Sequence, residues 1–249
     1  MTRDAAARLV SLAAILGLWV VGAALTADPT ILPGPWKLLG PLWHEIASGE
    51  LPFHLWKTLV RVAWAFVLAM SIGIAIGTLM GTNPEADRWL DPWLVVFLNL
   101  PALVLVVLCY LWIGLNETAA ITAVTLNKIP NVVTIVREGA RSLDPELDAM
   151  ARVYRMPRLA RLRHVVLPQL APYIAAAARG GIAVIWKIVL VVEFLGRSNG
   201  IGFKIHMYFQ LFDVGMVLIY ALSFVVVMLL VEAAFLRPWE SRVRRWRTA

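Results

Sequence analysis

Between Arg8 and Asp28 the chain runs for nineteen residues, LVSLAAILGLWVVGAALTA, without one charged side chain. A stretch of that length is the unit that crosses a bilayer as a helix, because a lipid-exposed backbone must satisfy its hydrogen bonds within its own segment. The pattern returns as VAWAFVLAMSIGIAIGTLMGTNP between Arg61 and Glu85 and as PWLVVFLNLPALVLVVLCYLWIGLN between Asp91 and Glu117. It returns again as VGMVLIYALSFVVVMLLV after Asp213, continuing past Glu232 to Phe235. Two further runs are interrupted: residues 118–136 contain Lys128, and residues 172–195 contain Arg179, Lys187 and Glu193. Counting both gives six spans. A mean hydropathy of +0.75 over 249 residues fits that count, being far above what one soluble core requires. The first run exceeds the roughly 7 to 15 apolar residues of a cleaved signal region and no small-x-small site precedes Asp28, so it reads as a retained helix.

Basic residues set the expected orientation, because short loops rich in Lys and Arg stay in the cytoplasm. With the N-terminus inside, the inner segments hold Arg3, Arg8, Arg88, Arg137, Arg141, Arg152, Arg155, Arg158, Arg161 and Arg163, then Arg237, Arg242, Arg244, Arg245 and Arg247. The outer segments hold only Lys37, Lys57, Arg61, Arg197 and Lys204. Both termini are thus expected inside, and the net charge of +7 is explained without nucleic acid. The expected fold is an all-α integral membrane protein of six transmembrane helices. Residues 1–27 hold the N-terminus and first helix, 28–55 an external amphipathic segment, 56–236 the core with a cytoplasmic loop at 137–171, and 237–249 a basic tail. Within the external segment PWKLLGPLWHEIASGEL is too short and polar to cross, and Trp36 and Trp43 on its apolar face suit a helix lying on the outer membrane surface. The single Cys109 cannot form an internal disulfide and reads as a small hydrophobe.

The loop at 137–171 is basic and punctuated by prolines. SLDPELDAMARVY reads as a helix start, with Ser142 or Asp144 as N-cap, Pro145 at the first helical position and acids in the first turn. Pro157 ends that helix and begins another, PRLARLRHVVLP, which puts Leu159, Leu162 and Val166 on one face, and Pro168 marks the return to the membrane. Taken singly, the arginines read as contacts to anionic headgroups.

The register of this loop resembles the cytoplasmic signature of importer permeases of the ATP-binding-cassette superfamily: E-A-A, three residues, G, nine residues, I-x-L-P. Laid on this chain it falls on Ala149, Met150 and Ala151, then Arg155, then Val165, Leu167 and Pro168. The glutamate, the first alanine and the glycine are replaced. Longer stretches, ILPGPWKLL, TLVRVAWAFVLAMSIGIAIGTLMG, DPWLVVFLNLPALVLVVLCYLWIGLNE and VVEFLGRSNGIGFKI, look like the permeases of taurine, aliphatic-sulfonate and nitrate importers. The resemblance implies a coupling helix seated in a groove of an ATPase subunit, with Tyr154 and Met156 supplying contact area, and Arg152 and Arg155 paired with carboxylates. Asp148 or Glu146 would stand in for the missing glutamate. Arg155 at the glycine position implies either that the turn avoids a left-handed backbone or that it accepts a cost of roughly 1 to 2 kcal/mol. It further implies an extracytoplasmic binding protein, two permease copies around one pathway in a bacterial inner membrane, and ATP with Mg on the ATPase and no cofactor on this chain.

No G-x-x-x-x-G-K-[ST] occurs; GRSNGIGFK at 196–204 follows a membrane helix on the outer side and reads as a tight external turn. His44, His54, His164 and His206 are scattered singly, and no metal set is expected. The pathway candidates are the intramembrane polar residues and breaks: Lys128 with Asn127 near mid-depth, Asn99 and Pro101 in the third span, and Lys187 and Glu193 in the fifth. For Lys187 and Glu193, reaching the headgroups or a neighbouring helix is an equal alternative. Trp186 reads as packing. Gly73, Gly77 and Gly81 form a doubled G-x-x-x-G, whose default use is packing within the chain and whose alternative is a homodimer interface. The competing classes are an ATP-independent secondary transporter or channel, which would more often show an internal repeat, and a membrane-embedded enzyme, which would need a catalytic constellation absent here.

Overall fold

The computed structural model describes residues 3–26 and 28–236, and every regular element among them is helical. In chain order these are α1 (Arg3–Thr26), α2 (Pro35–Ala47), α3 (Glu50–Thr82), α4 (Pro84–Asn99), α5 (Ala102–Ile113), α6 (Glu117–Arg141), α7 (Pro145–Val153), α8 (Arg158–Arg161), a π-helical turn (Leu162–Val166), α9 (Leu167–Gly196), α10 (Ile201–Gln210) and α11 (Val214–Val231), extended by a second π turn (Glu232–Leu236). The basic tail 237–249 and the side chains of Arg3 and Arg8 lie outside the described residues.

Among the described residues, four helices are long and apolar enough to cross a membrane: α3, α6, the continuous run Arg158–Gly196, and Val214–Ala234. The third expected span differs from its sequence reading. It is two helices, α4 and α5, meeting at 100°. Pro101 has no amide to continue α4 and drives Leu100 into extended backbone (φ −71°, ψ 123°), while Asn99 turns its amide back to Val95 O at 2.8 Å. The first expected span lies in α1, 24 residues long, with Ala13–Thr26 forming a shorter apolar helix among the residues whose side chains are described. Between α1 and α2, the Thr30 hydroxyl and amide hold the Asp28 carboxyl below the usual carboxylate range.

α2 shows the amphipathic face expected of it. Leu38 and Glu45 are buried against the chain, and Trp36, Leu39, Trp43 and Ile46 stand exposed at helical spacing. Left-handed Gly49 (φ 82°) then turns the chain into α3, which begins at Glu50, inside the segment assigned to the external piece.

α6 is the centre of the molecule. Its buried face packs on α3 through the three glycines: a Cβ on Gly73 would meet Val132, on Gly77 Val136, and on Gly81 Ala140. Contact pairs that advance together by four residues mean that α3 and α6 run parallel with close backbones. The glycine face is filled from within the chain, which closes its alternative use as an interface between copies. On its other side α6 meets α9, where Gly139 makes room for the Tyr173 ring. Around this axis one apolar cluster joins Val62, Leu105, Val106, Ala123, Ile185 and Val189, with Cys109 inside it, and a second joins Met70, Val136, Val166 and Leu170.

Candidate functional site

At one end of the bundle the proline-punctuated segment folds into a closed elbow. Of its two candidate N-caps, Asp144 holds the position: its carboxylate accepts from the Glu146 amide at 2.8 Å, Pro145 takes the first helical position, and Glu146 and Asp148 follow in the first turn. α7 ends in a Schellman turn, with Arg155 N donating to Arg152 O at 3.0 Å and Met156 N to Ala151 O at 2.9 Å. That geometry puts Arg155 at φ +47°, so of the two alternatives left by the sequence the chain takes the strained one.

Pro157 caps α8 as expected, and Pro168 lies inside a continuous helix. α8, the π turn and α9 form one 39-residue helix, Arg158–Gly196. A proline ring collides with the carbonyl four residues back, here His164 O. The π turn before it, closed by Leu167 N to Leu162 O, widens the helix where that carbonyl must move aside.

The elbow is tied down on its inner side. Asp148 pairs with Arg161 and, at 3.2 Å, with Arg152; Asp144 N donates to Gln169 Oε1 at 2.9 Å; the Ser142 and Tyr173 hydroxyls lie 2.8 Å apart. Ala151 is buried and Met156 half-buried. Below the elbow, Arg137 reaches Asp91 at 2.5 Å and Asp87 at 3.3 Å, and Arg141 reaches Asp87 at 2.5 Å, binding the last turns of α6 to the start of α4. The outer surface of the elbow presents Leu147, Met150, Val153, Leu159 and Tyr154, the last 76% exposed, flanked by Arg152 and Arg155. Ala149, Leu167 and Pro168 are exposed as well.

At the opposite end lies a buried charge network that sequence reasoning did not assemble. Arg61 of α3 donates through Nε and a terminal nitrogen to Glu117 at 2.8 and 2.6 Å, to Glu193 Oε1 at 2.6 Å and to Asn199 O at 2.9 Å. Glu193, fully buried, also accepts from the Thr58 hydroxyl and the Gly202 amide, each at 2.9 Å. The GRSNGIGFK turn thus holds an anion at a helix start, and the anion is the chain's own carboxylate. Gly200 (φ 112°) is required there, since a Cβ would come within 2.3 Å of the Glu193 carboxyl carbon. Arg197 bonds Glu117 at 2.8 Å, and Lys204 bonds Glu50 at 2.6 Å.

The pathway candidates are not gathered into one place. Asn99 and Pro101 stand exposed at the α4–α5 bend, Lys187 is exposed on α9, and Glu193 belongs to the Arg61 network. Asn127 is half-buried, and Lys128 is 3% exposed, beside the bare backbone of Gly181. Among the described residues no group of three metal-ligating side chains comes together.

Comparison with known proteins adds a family. Residues 47–237 match the family described as binding-protein-dependent transport system inner membrane component. The chain is 30% identical over 238 residues to the putative aliphatic sulfonates transport permease protein of Bacillus subtilis (strain 168), covering 95% of this chain and 86% of that one. It is 26% identical to the taurine transport system permease protein of Escherichia coli (strain K12), covering 99% and 91%. It is 31% identical to the bicarbonate transport system permease protein of Synechococcus elongatus, covering 79% and 76%. Among solved structures, the inward-facing methionine ABC transporter MetNI shares the fold at a TM-score of 0.65 and 18% identity, covering 77% of this chain and 94% of that one.

Proposed function

The chain belongs to the binding-protein-dependent inner membrane transport components, as a permease subunit of an ATP-binding-cassette importer, and from that premise we propose how its parts divide the work. Six spans cross the membrane, counting α1 and the bent α4–α5 pair, with the elbow end in the cytoplasm. The elbow α7–α8 docks on the partner ATPase, which binds and hydrolyses ATP with Mg. The opposite end meets an extracytoplasmic solute-binding protein. A second permease copy completes the pathway, in which Asn99, Pro101, Asn127, Lys128 and Lys187 are the candidate contacts.

The observation that carries this reading is the construction of the elbow. It is braced internally by Asp148–Arg161 and Asp144–Gln169, exposes Met150, Tyr154 and Leu159 outward, and is continuous with a membrane helix. An aromatic ring and a thioether on an otherwise polar surface are the contact area expected of a docking element, and a braced element transmits displacement. The relatives named for sulfonates, taurine and bicarbonate handle small solutes bearing an oxyanion group, and a solute of that kind is the one proposed here.

Co-purification of the tagged chain with its ATPase from detergent tests the assignment. The wild type should retain the ATPase, and Tyr154→Ala and Arg155→Glu should lose it while running as the wild type on size exclusion. Retention of the ATPase by both variants would move the docking surface elsewhere.

A further inference from the structure

Eight polar or charged side chains are buried among the described residues: Glu45, His54, Thr58, Arg61, Thr125, Lys128, Glu193 and Lys204. Six have partners. Glu45 accepts from Tyr220, His54 from the Gly200 amide, Thr58 and Arg61 meet Glu193, and Lys204 meets Glu50. Of the remaining two, the buried Thr125 hydroxyl has no hydrogen-bond partner and Lys128 makes no hydrogen bond or ion pair with another described residue; they are three residues apart, which places them on one face of α6.

Their surroundings are shaped for something more. Thr58, Thr82 and Thr134 return their hydroxyls to the carbonyl four residues back, the usual outlet on a helix, whereas Thr125, like Thr78 on α3, does not. Opposite Lys128, α9 carries a glycine where a Cβ would stand 2.8 Å from the lysine Cε, so the bare backbone of Gly181 is what lets the stem lie there. Lys128 is the twelfth of the 25 residues of α6, about 18 Å along a helix of about 37 Å, near the middle of the membrane. An ammonium at that depth is costly unless an anion meets it, and the described residues supply none.

We propose that Lys128 and Thr125 form a site for a small oxyanion group, the ammonium balancing its charge and the threonine hydroxyl donating to a second oxygen. The ligand class is a compact monoanion such as an alkyl sulfonate. That this anion is cargo rests on the importer reading above; that it binds does not.

The chain with its ATPase, in nanodiscs of phosphatidylcholine that bring no net anionic headgroup, is titrated with methanesulfonate and with neutral dimethyl sulfone. With five lysines in the sequence, ¹⁵N-lysine spectra resolve Lys128 once the other four are replaced in turn by arginine. The Lys128 resonance should shift saturably with methanesulfonate and stay put with the sulfone. Thermal unfolding of the wild type should rise with methanesulfonate, and Lys128→Met should lose at least tenfold in apparent affinity. A silent Lys128 resonance, or an equal thermal response in wild type and Lys128→Met, overturns the site. The spectra use the lysine itself, so they decide the matter even if Lys128→Met does not fold. If Lys128 titrates while the loaded complex carries no solute into vesicles with ATP, the importer reading fails and the site stands. If ATP-driven uptake proceeds while Lys128 stays silent, the site fails and the importer stands.

Discussion

Arg155 is the residue where a local rule is broken. Its Schellman turn needs a left-handed backbone, a conformation that glycine adopts freely and a side chain adopts at a cost of roughly 1 to 2 kcal/mol. An exposed arginine held at that cost is explained if the guanidinium is used outside the chain. Arg155→Gly should slow hydrogen exchange of the α7–α8 amides, stabilising the turn by about 1 kcal/mol, while weakening ATPase retention. Arg155→Ala should keep the strain and lose the retention, separating the two effects. Arg61 is the opposite case, a charge whose partners are all internal. Removing it leaves Glu193 buried beside Glu117, so Arg61→Met should lower stability by about 3 to 5 kcal/mol in thermal unfolding. The double variant Arg61→Met with Glu193→Met should recover part of that loss, because no uncompensated carboxylate then remains in the interior.

Among elements, the parallel pair α3–α6 is the most sharply constrained. A Cβ on Gly77 would fall 2.8 Å from Val136 Cβ and 2.9 Å from Val133 O, so the helices must part to admit it. Gly77→Ala should destabilise by about 1 to 3 kcal/mol, whereas Gly17→Ala in α1, where nothing lies within 4 Å, should be neutral or gain about 0.5 kcal/mol in the same unfolding assay. This pairing was legible in the sequence because a four-residue glycine repeat is a local pattern with one geometric meaning. The elbow was legible for the same reason, its cap, prolines and first-turn acids all lying within a few residues. The Asn99–Pro101 break was visible as an interruption, but its angle depends on what α4 and α5 pack against. Of the Arg61–Glu193 network only one part was legible, Glu193 reaching a neighbouring helix; its partner was not, because the two lie 132 residues apart and no periodicity links an arginine at the edge of one apolar run to a glutamate inside another. The clue that did exist was the pair Gly200 and Gly202, whose missing side chains are what let Glu193 approach the start of α10.

For the whole molecule, the 39-residue helix Arg158–Gly196 joins the two ends. At 1.5 Å per residue it spans about 58 Å, with the exposed elbow at its start and the Glu193 network three residues before its finish. If the elbow docks as proposed, a displacement imposed on Tyr154 and Leu159 passes into this helix, because the elbow is braced to it by Asp148–Arg161 and Asp144–Gln169. At the far end Glu193 ties it to α3, α6 and the start of α10 through Arg61, Thr58 and Gly202, so these elements shift together. On that proposal the network is the anchor against which the elbow works. Glu193→Gln keeps the volume and weakens the ion pair without leaving a buried arginine wholly unpaired, since Glu117 remains on Arg61. In reconstituted vesicles Glu193→Gln should leave the basal ATPase rate of the assembled complex near the wild-type value. It should also lower by several-fold the solute carried per ATP hydrolysed, because the motion would dissipate at the loosened end. Wild-type stoichiometry in Glu193→Gln, at unchanged basal hydrolysis, would show that the two ends move independently and confine the network to holding the outer turns together.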